Sequence, residues 1–419
     1  MTIFTCPENA EGLAETDAIM AKLEAEQLQK TPASGKLHFV KQCRRAFKAL
    51  LADPKGLFRI LTRKKPLGSI KVAVVADGGI GDFLRINAVI AAFSKKYPNS
   101  CYDVFTGNSG RARLTFAGLS GLECIVHKYL LNWVQGRYDV IYESHWGMVK
   151  ARFGPAAPPE LAQKRQQSRH LFALAEEYDG GSASNTMGRK AVAQGFGYMD
   201  VLGLSAGLES LSSMTPVLDL TGVENVMSGQ HYITVHHGWD TSNDDQNTPV
   251  KCWPLEHWQR FVQVFKQRFP NIKVVQLGAQ TATDISGVDV SLVNKTTFKQ
   301  ACSVLAEALL HVDADGGFTH VSRIFGTKTI VLFGPTNSEF TAYRENINIK
   351  SGTCGNCAYV TRKWEHLCPR GFSKPICMHS ITPEFVMQHA ARYVESRLVE
   401  HAASPLRAAG NGIPDRDHG

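Results

Sequence analysis

Residues 312–336, VDADGGFTHVSRIFGTKTIVLFGPT, read as the end of a strand, a turn, a helix, a second strand and a second turn. Asp315, Gly316 and Gly317 open a short helix carrying His320, and the apolar run 329–333 ends at the turn Gly334–Pro335–Thr336. Strand, helix and strand in succession specify a parallel α/β unit. A helix N-terminus beside a carboxylate and a glycine turn suits a ligand with phosphates and a sugar. The unsatisfied N–H groups favour anions, and the carboxylate accepts from hydroxyls.

Working outward, HYITVHHG (231–238) is a strand ending in a glycine turn. Helices follow at 253–269 and 298–310, with the strand IKVVQLG (272–278) between them and a long helix at 383–398. A second α/β unit precedes these. It has the strand KVAVVAD (71–77), the turn GGIGD (78–82) and an amphipathic helix (83–98). Strands near 101–105, 123–127 and 138–143 and a helix near 111–119 follow. Residues 150–190 are polar and glycine-rich, and are expected to be loops near an active cleft or acceptor site. The resulting division is an extension at 1–70, an acceptor-side domain at 71–228, a donor-binding domain at 229–400 and a disordered tail at 401–419.

A chain of 419 residues is long enough for two cores. Its net charge of +8 fits an anionic partner. No apolar run could span a bilayer, and the acidic first 26 residues lack the features of a signal peptide, so a cytoplasmic location is expected. Residues 1–35 look weakly ordered or locally helical. Between 36 and 66 ten basic residues face one acid, Asp53. Phe39, Cys43, Phe47 and Leu50/Leu51 recur there at helical spacing, which predicts a basic amphipathic helix, then Pro54 and a second short basic helix. Such a pair either packs on the main body with a solvated basic face or rests on an anionic membrane, peripheral to it.

Four constellations could carry chemistry. In Asp77–Asp82 the glycines Gly78, Gly79 and Gly81 allow a tight turn after a buried strand, but the spacing is not that of a dinucleotide fingerprint. Asp82 in the first helical turn is either a carboxylate stabilising the helix dipole or a general base facing a cleft. His237 and Gly238 end the second unit's first strand. Lys251 stands just before Trp253–Pro254, near a helix start, where a lysine meets a diphosphate as a point charge. Asp315 and His320 form the third; as a lone histidine, His320 reads equally as a core group holding a carbonyl. Cys354, Cys357, Cys368 and Cys377 form the fourth, four of ten cysteines. Four thiolates can enclose a structural zinc or iron, with two disulfides or free thiols as the other readings.

Five motifs in register across about 71–398 resemble glycosyltransferase family 9, the ADP-heptose-dependent heptosyltransferases. They are Gly79–Ile80–Gly81–Asp82, Tyr138–Asp139, Lys251–Cys252–Trp253–Pro254, Asp315 to His320 with Gly334 to Thr336, and Cys377–Met378 leading to Pro383–Glu384–Phe385–Val386. The resemblance implies a GT-B-like fold, two Rossmann-like α/β domains with a cleft between them, here with a helical N-terminal extension. It implies inverting transfer of heptose from ADP-heptose to a lipopolysaccharide core or related surface-glycan acceptor, with no catalytic metal. Asp82 would be the base, Lys251 would meet the diphosphate and Asp315 the heptose hydroxyls. Gly79, Gly81, His237, Gly238, Gly317, His320, Gly334 and Thr336 would line the donor site. The loop between Gly238 and Lys251 is longer than the family pattern, the spacing from Cys357 to Cys368 looks expanded, and the extension lies outside the family core. These departures keep a lipid-linked oligosaccharide and a protein acceptor both open. Protein O-heptosylation of autotransporter-type proteins and non-catalytic sugar-nucleotide binding are the alternatives, and no nucleic-acid partner is expected.

Overall fold

A computed structural model describes residues 1–6, 22, 23, 25, 45, 47, 48, 50, 51, 53–145, 147–177, 181–238, 249–279, 282–361 and 363–409. Twelve strands fall into two sheets among these residues. The first sheet holds β2 (Ile70–Val75), β3 (Ser100–Thr106), β4 (Leu122–His127), β5 (Val140–His145) and β6 (Met148–Phe153), in the order β4-β3-β2-β5-β6. All its neighbours run parallel except the β5–β6 hairpin. The second sheet is parallel throughout. It holds β7 (Tyr232–His236), β8 (Lys273–Gln276), β9 (Val290–Ser291), β10 (His311–Ala314), β11 (Thr329–Phe333) and β12 (Ile347–Ser351), with β1 (Ile3–Cys6) at one edge. Its order is β1-β12-β11-β10-β7-β8-β9.

Both sheets read as nearly continuous apolar runs because helices cover both faces of a parallel sheet. In β7 and β11 every residue is buried. The helix Leu255–Arg268 buries Trp258, Phe261, Val262 and Phe265, a stripe at helical spacing that packs on the second sheet's core. Trp253, just before it, is fully buried and donates its indole N–H to the Ile381 carbonyl at 2.8 Å, so a large polar ring is buried without an orphaned donor.

The strand orders place the site. In the first sheet the chain steps outward from β2 to β3 and β4, then returns to the other side of β2 with β5. In the second it steps from β7 to β8 and β9, then returns beside β7 with β10. Each reversal opens a crevice at the carboxyl ends of two strands, where open α/β sheets bind ligands. The chain leaves those ends at Ala76, at His237 and at Asp315.

Three expectations need correction. Residues 3–6, read as weakly ordered or helical, are the edge strand β1 of the second sheet, where Phe4 stacks 4.1 Å from His389 and the Cys6 thiol meets the Ser380 carbonyl at 3.1 Å. Four residues give too short a pattern to separate strand from loop. The final helix runs Pro383–Ala409, so 401–409 are helical rather than a disordered tail. Residues 150–190, read as loops, hold β6 and the helices Pro159–Gln167, Ala173–Glu177 and Gly181–Ala193. The second basic helix forms at Pro54–Thr62, capped by Asp53, which accepts from the Gly56 N–H at 2.9 Å. Most of the first basic helix and residues 410–419 lie outside the described residues.

Candidate active site

Two helices start in the cleft and meet head to head. Ile80–Lys96 follows β2, and Gly317–Phe325 follows β10. Their glycines let them touch. A Cβ on Gly81 would lie 2.6 Å from the His320 ring, and one on Gly317 would lie 2.2 Å from the Ile80 side chain. The interlock extends further, since Phe340 and Tyr343, which follow β11, pack in the first sheet's core, while Leu84 packs with Val321 on the other side. Both starts present unsatisfied N–H groups, which bias the cleft toward an anion.

Beside the junction lies a cavity of about 920 Å³, large enough for a nucleotide sugar. Of the residues singled out in the sequence, Gly79, Gly81, Asp82, Gly238 and Lys251 line it, as do Asp315, Gly317, His320 and Thr336. Two do not. His236 rather than His237 forms the wall, because successive strand residues alternate faces. Gly334 turns toward the cysteine loop, where a Cβ would meet Met378 at 2.5 Å.

On the first sheet's side, the Asp82 carboxylate accepts from the Gly79 N–H at 2.8 Å, so it does cap its helix. It also stays 43% exposed and stands 3.8 Å from Arg85, so a hydroxyl can approach it. No motif marks Arg85, one arginine in an apolar stretch of its helix. Its guanidinium stacks 4.1 Å over the Tyr198 ring. Burial works against its charge, but Tyr198, Tyr343, Asp82 and Asp315 hold its value above normal. Asp77 takes an ion pair from Lys128 at 2.6 Å and an N–H bond from Gly107 at 3.0 Å, which fixes the turn before Asp82.

On the second sheet's side, Lys251 reaches the carboxyl end of β10 by donating to the Asp315 carbonyl at 3.1 Å. That bond holds its ammonium at the Gly316–Gly317 helix start. His320 is buried, with its Nδ1 2.6 Å from the Tyr343 hydroxyl. Burial, then Arg85, Arg323 and Lys251, push its value well below the usual histidine range, so it is neutral at pH 7. His320 is therefore a structural hinge between the helix starts and a polar wall, not a charge. Neutrality also lets it sit among three cations without repulsion.

The cysteine loop forms another part of the wall. Ala358 and Tyr359 line the cavity, and the Ala358 N–H donates to the Pro335 carbonyl at 2.9 Å. Asn356 and Tyr359 take φ values of 58° and 67°, left-handed conformations that side chains rarely adopt. Cys354, Cys357, Cys368 and Cys377 act on one another's ionisation. Its hydrogen bond with Cys377 opposes burial and, with the charge of Arg370, brings the Cys354 thiol down to about 7. Burial and the neighbouring thiols push Cys357 up to about 12. Among the described residues no three His, Cys, Asp or Glu side chains stand at metal-holding distances, and no helix is long and apolar enough to cross a membrane.

Two α/β sheets with facing switch points, two helix starts and a basic group at one of them define a two-domain α/β protein of the GT-B kind. Residues 209–367, which include most of the second sheet, match the family model described as glycosyltransferase family 9 (heptosyltransferase). The match contains Lys251, Asp315, His320 and Thr336, and Asp82 lies outside it. Lipooligosaccharide heptosyltransferase 2 of Campylobacter jejuni is 32% identical over 110 residues, covering 25% of this chain and 32% of that protein. A second C. jejuni strain's protein of the same name is 33% identical over 102 residues. The chain thus spans about a third of the length of the curated relatives it matches. Among solved structures, the iron-containing dodecameric heptosyltransferase TibC in complex with ADP-D-beta-D-heptose shares the fold, with TM-score 0.51 and 13% identity over 78% of this chain and 76% of that one. ADP-heptose LPS heptosyltransferase II of E. coli aligns over 78% of this chain and 99% of its own, at 15% identity and TM-score 0.47.

Proposed function

We propose that the protein is an inverting glycosyltransferase that moves heptose from ADP-heptose to a hydroxyl of a lipopolysaccharide core or related surface glycan. One observation carries this reading: an exposed carboxylate, Asp82, and a lysine-bearing helix start, Lys251 with Gly316–Gly317, face the same cavity from opposite sheets. The acceptor hydroxyl gives its proton to Asp82 as its oxygen bonds to the anomeric carbon. The bond from that carbon to the diphosphate oxygen breaks with its electron pair on the diphosphate, which Lys251 and the helix N–H groups receive. Asp315, half-buried at the same start, accepts from sugar hydroxyls. The donor half, within 229–400, holds the diphosphate, and the acceptor enters from the half at 71–228.

A lipid-linked acceptor is favoured by the outer face of the helix Pro54–Thr62. Phe58 and Leu61 are exposed there, next to exposed Lys55, Arg59 and Lys64, with Leu67 beyond. Apolar side chains flanked by cations suit an anionic membrane surface on the cytoplasmic side. A structural zinc or iron at the four thiols is supported by the donor set and the acidified Cys354 thiol, and binding would have to draw the thiols together, since among the described residues no three of them stand at metal-holding distances. Such an ion would stabilise the cysteine-loop wall and take no part in transfer. Metal analysis of the purified protein, before and after Cys354→Ser, checks this.

The deciding test is a donor screen. ADP-heptose and hexose nucleotides are offered with a lipid-A core acceptor while nucleotide release is followed. The expected result is ADP release that needs both ADP-heptose and acceptor. Binding of nucleotide sugar without turnover, whatever the acceptor, would leave a sugar-nucleotide binding protein instead. Heptose found by mass spectrometry on a co-expressed protein, but never on glycolipid, would establish the protein acceptor.

A further inference from the structure

Behind the cavity wall lies a carboxylate that the transfer reaction described above leaves unused. Asp313, on β10, is fully buried between two histidines. It pairs in register with His236 across the β7–β10 switch point, and its carboxylate lies 2.8 Å from His236 Nδ1. His311 Nε2 stands farther off, at 3.6 Å, while its Nδ1 is engaged at 2.9 Å by the Thr234 hydroxyl. The Thr319 hydroxyl reaches Asp313 at only 3.4 Å. A carboxylate with no exposure needs a compensating positive charge, since an unpaired buried charge is strongly destabilising. Among the described residues, His236 offers Asp313 both hydrogen-bond distance and a titratable cation, with His311 farther off at 3.6 Å. His236 in turn forms part of the cavity wall, with its ring edge-on to Phe318 at 5.0 Å.

We infer that Asp313 holds His236 as an imidazolium whose Nε2–H donates to the departing diphosphate of the sugar nucleotide. The inference rests on the nucleotide-sugar reading above and adds a group to it. In the transfer step, the electron pair of the breaking carbon–oxygen bond settles on the diphosphate, and the His236 cation shares its charge through one hydrogen bond. Asp313 acts through His236 and is a positioning residue. Among the described residues, Asp313 and His311 on β10, Asp315 at that strand's end, His320 on the Gly317–Phe325 helix and Lys251 before Leu255–Arg268 face His236; His237 follows it in the chain. The carboxylates favour the cation and Lys251 opposes it. His320 is neutral and adds no charge. Asp313 itself, against the pull of burial, is kept below the usual carboxylate range by His236 first and then His311, which agrees with an ion pair. The two histidines at one helix start thus differ: His236 has a carboxylate behind it, and His320 has cations around it.

The test is calorimetric binding of ADP and of AMP, from about pH 5.5 to 8.5, by the native protein, Asp313→Asn and His236→Gln. Titration of ADP itself is common to all three proteins, so their differences read His236. The native protein should bind ADP about tenfold more tightly below the imidazolium's pKa than His236→Gln does, with a smaller difference for AMP. In Asp313→Asn the same step should move to lower pH, because a neutral partner no longer supports the cation. Thermal unfolding of each variant confirms that it is folded, which matters most for His236→Gln because it leaves the buried Asp313 carboxylate without its cation. Identical pH steps in the native protein and Asp313→Asn, or a native step in His236→Gln, would overturn the inference. Heptosyl turnover without the step overturns it alone. The step without turnover of any nucleotide sugar overturns the transferase reading alone, and no ADP binding at any pH overturns both.

Discussion

The two helix starts that meet in the cleft use carboxylates in opposite ways. At Ile80–Lys96, Asp82 bonds the Gly79 N–H and remains open to solvent. At Gly317–Phe325, no side chain caps the helix, and the nearby Asp313 is sealed behind two imidazoles. An exposed carboxylate keeps the freedom to take a proton from an incoming hydroxyl. A sealed one can only place charge through a neighbour. The first wall is therefore suited to the acceptor and the second to the donor's phosphates, although both helices follow a strand at a switch point of a parallel sheet.

Breaking the acceptor wall should have the largest effect. Asp82→Asn keeps the bond to Gly79 and removes the proposed base, so turnover should fall by about 10²- to 10⁴-fold in steady-state assays of ADP release. The donor KM should stay within about threefold, because the diphosphate contacts proposed above lie on the other wall. Breaking the donor wall should instead cost affinity. Lys251→Ala removes a charge-assisted contact, and ADP binding by calorimetry should weaken about 10- to 100-fold.

A third change attacks the contact between the walls. In Gly317→Ala the new methyl would stand 2.2 Å from Ile80, and overpacking of this kind costs about 1–3 kcal/mol. Ile80→Ala in the same chain should return part of that loss, read by chemical denaturation. Restored stability with unrestored turnover would show that the helix starts must also hold register.

The smallest effect concerns His320. Its folded value lies well below the usual 6.5, so the unfolded chain takes up a proton first as pH falls. The stability due to the neutral form is present above about pH 6.5 and is lost as pH drops from there toward the folded value, at up to about 1.4 kcal/mol per pH unit. His320→Gln should flatten that part of the acid limb relative to the native protein. An unchanged limb would mean that the other low-value histidines, His257, His379 and His389, account for it.

Most of the alternation of strands and helices was legible because buried parallel strands and amphipathic helices leave strong periodic signals, as in β2 and Leu255–Arg268. The glycine turns and Asp82, Lys251 and Asp315 were legible because they stand beside those signals. What escaped depends on contacts distant in sequence. Arg85 matters because Tyr198 lies beneath it, 113 residues on, and His236 because β10 brings Asp313 beside it. The turn after β7 hides in the sequence that His236, not His237, faces the cavity. β1 escaped since its pairing partner, β12, lies at the far end of the chain.

The division of labour between the walls is tested most directly by measuring ADP-heptose affinity and acceptor-dependent ADP release side by side in Asp82→Asn. The account predicts native affinity with turnover reduced at least a hundredfold, on the order expected for loss of a general base. Native turnover in that variant, or loss of donor binding as severe as in Lys251→Ala, would contradict it.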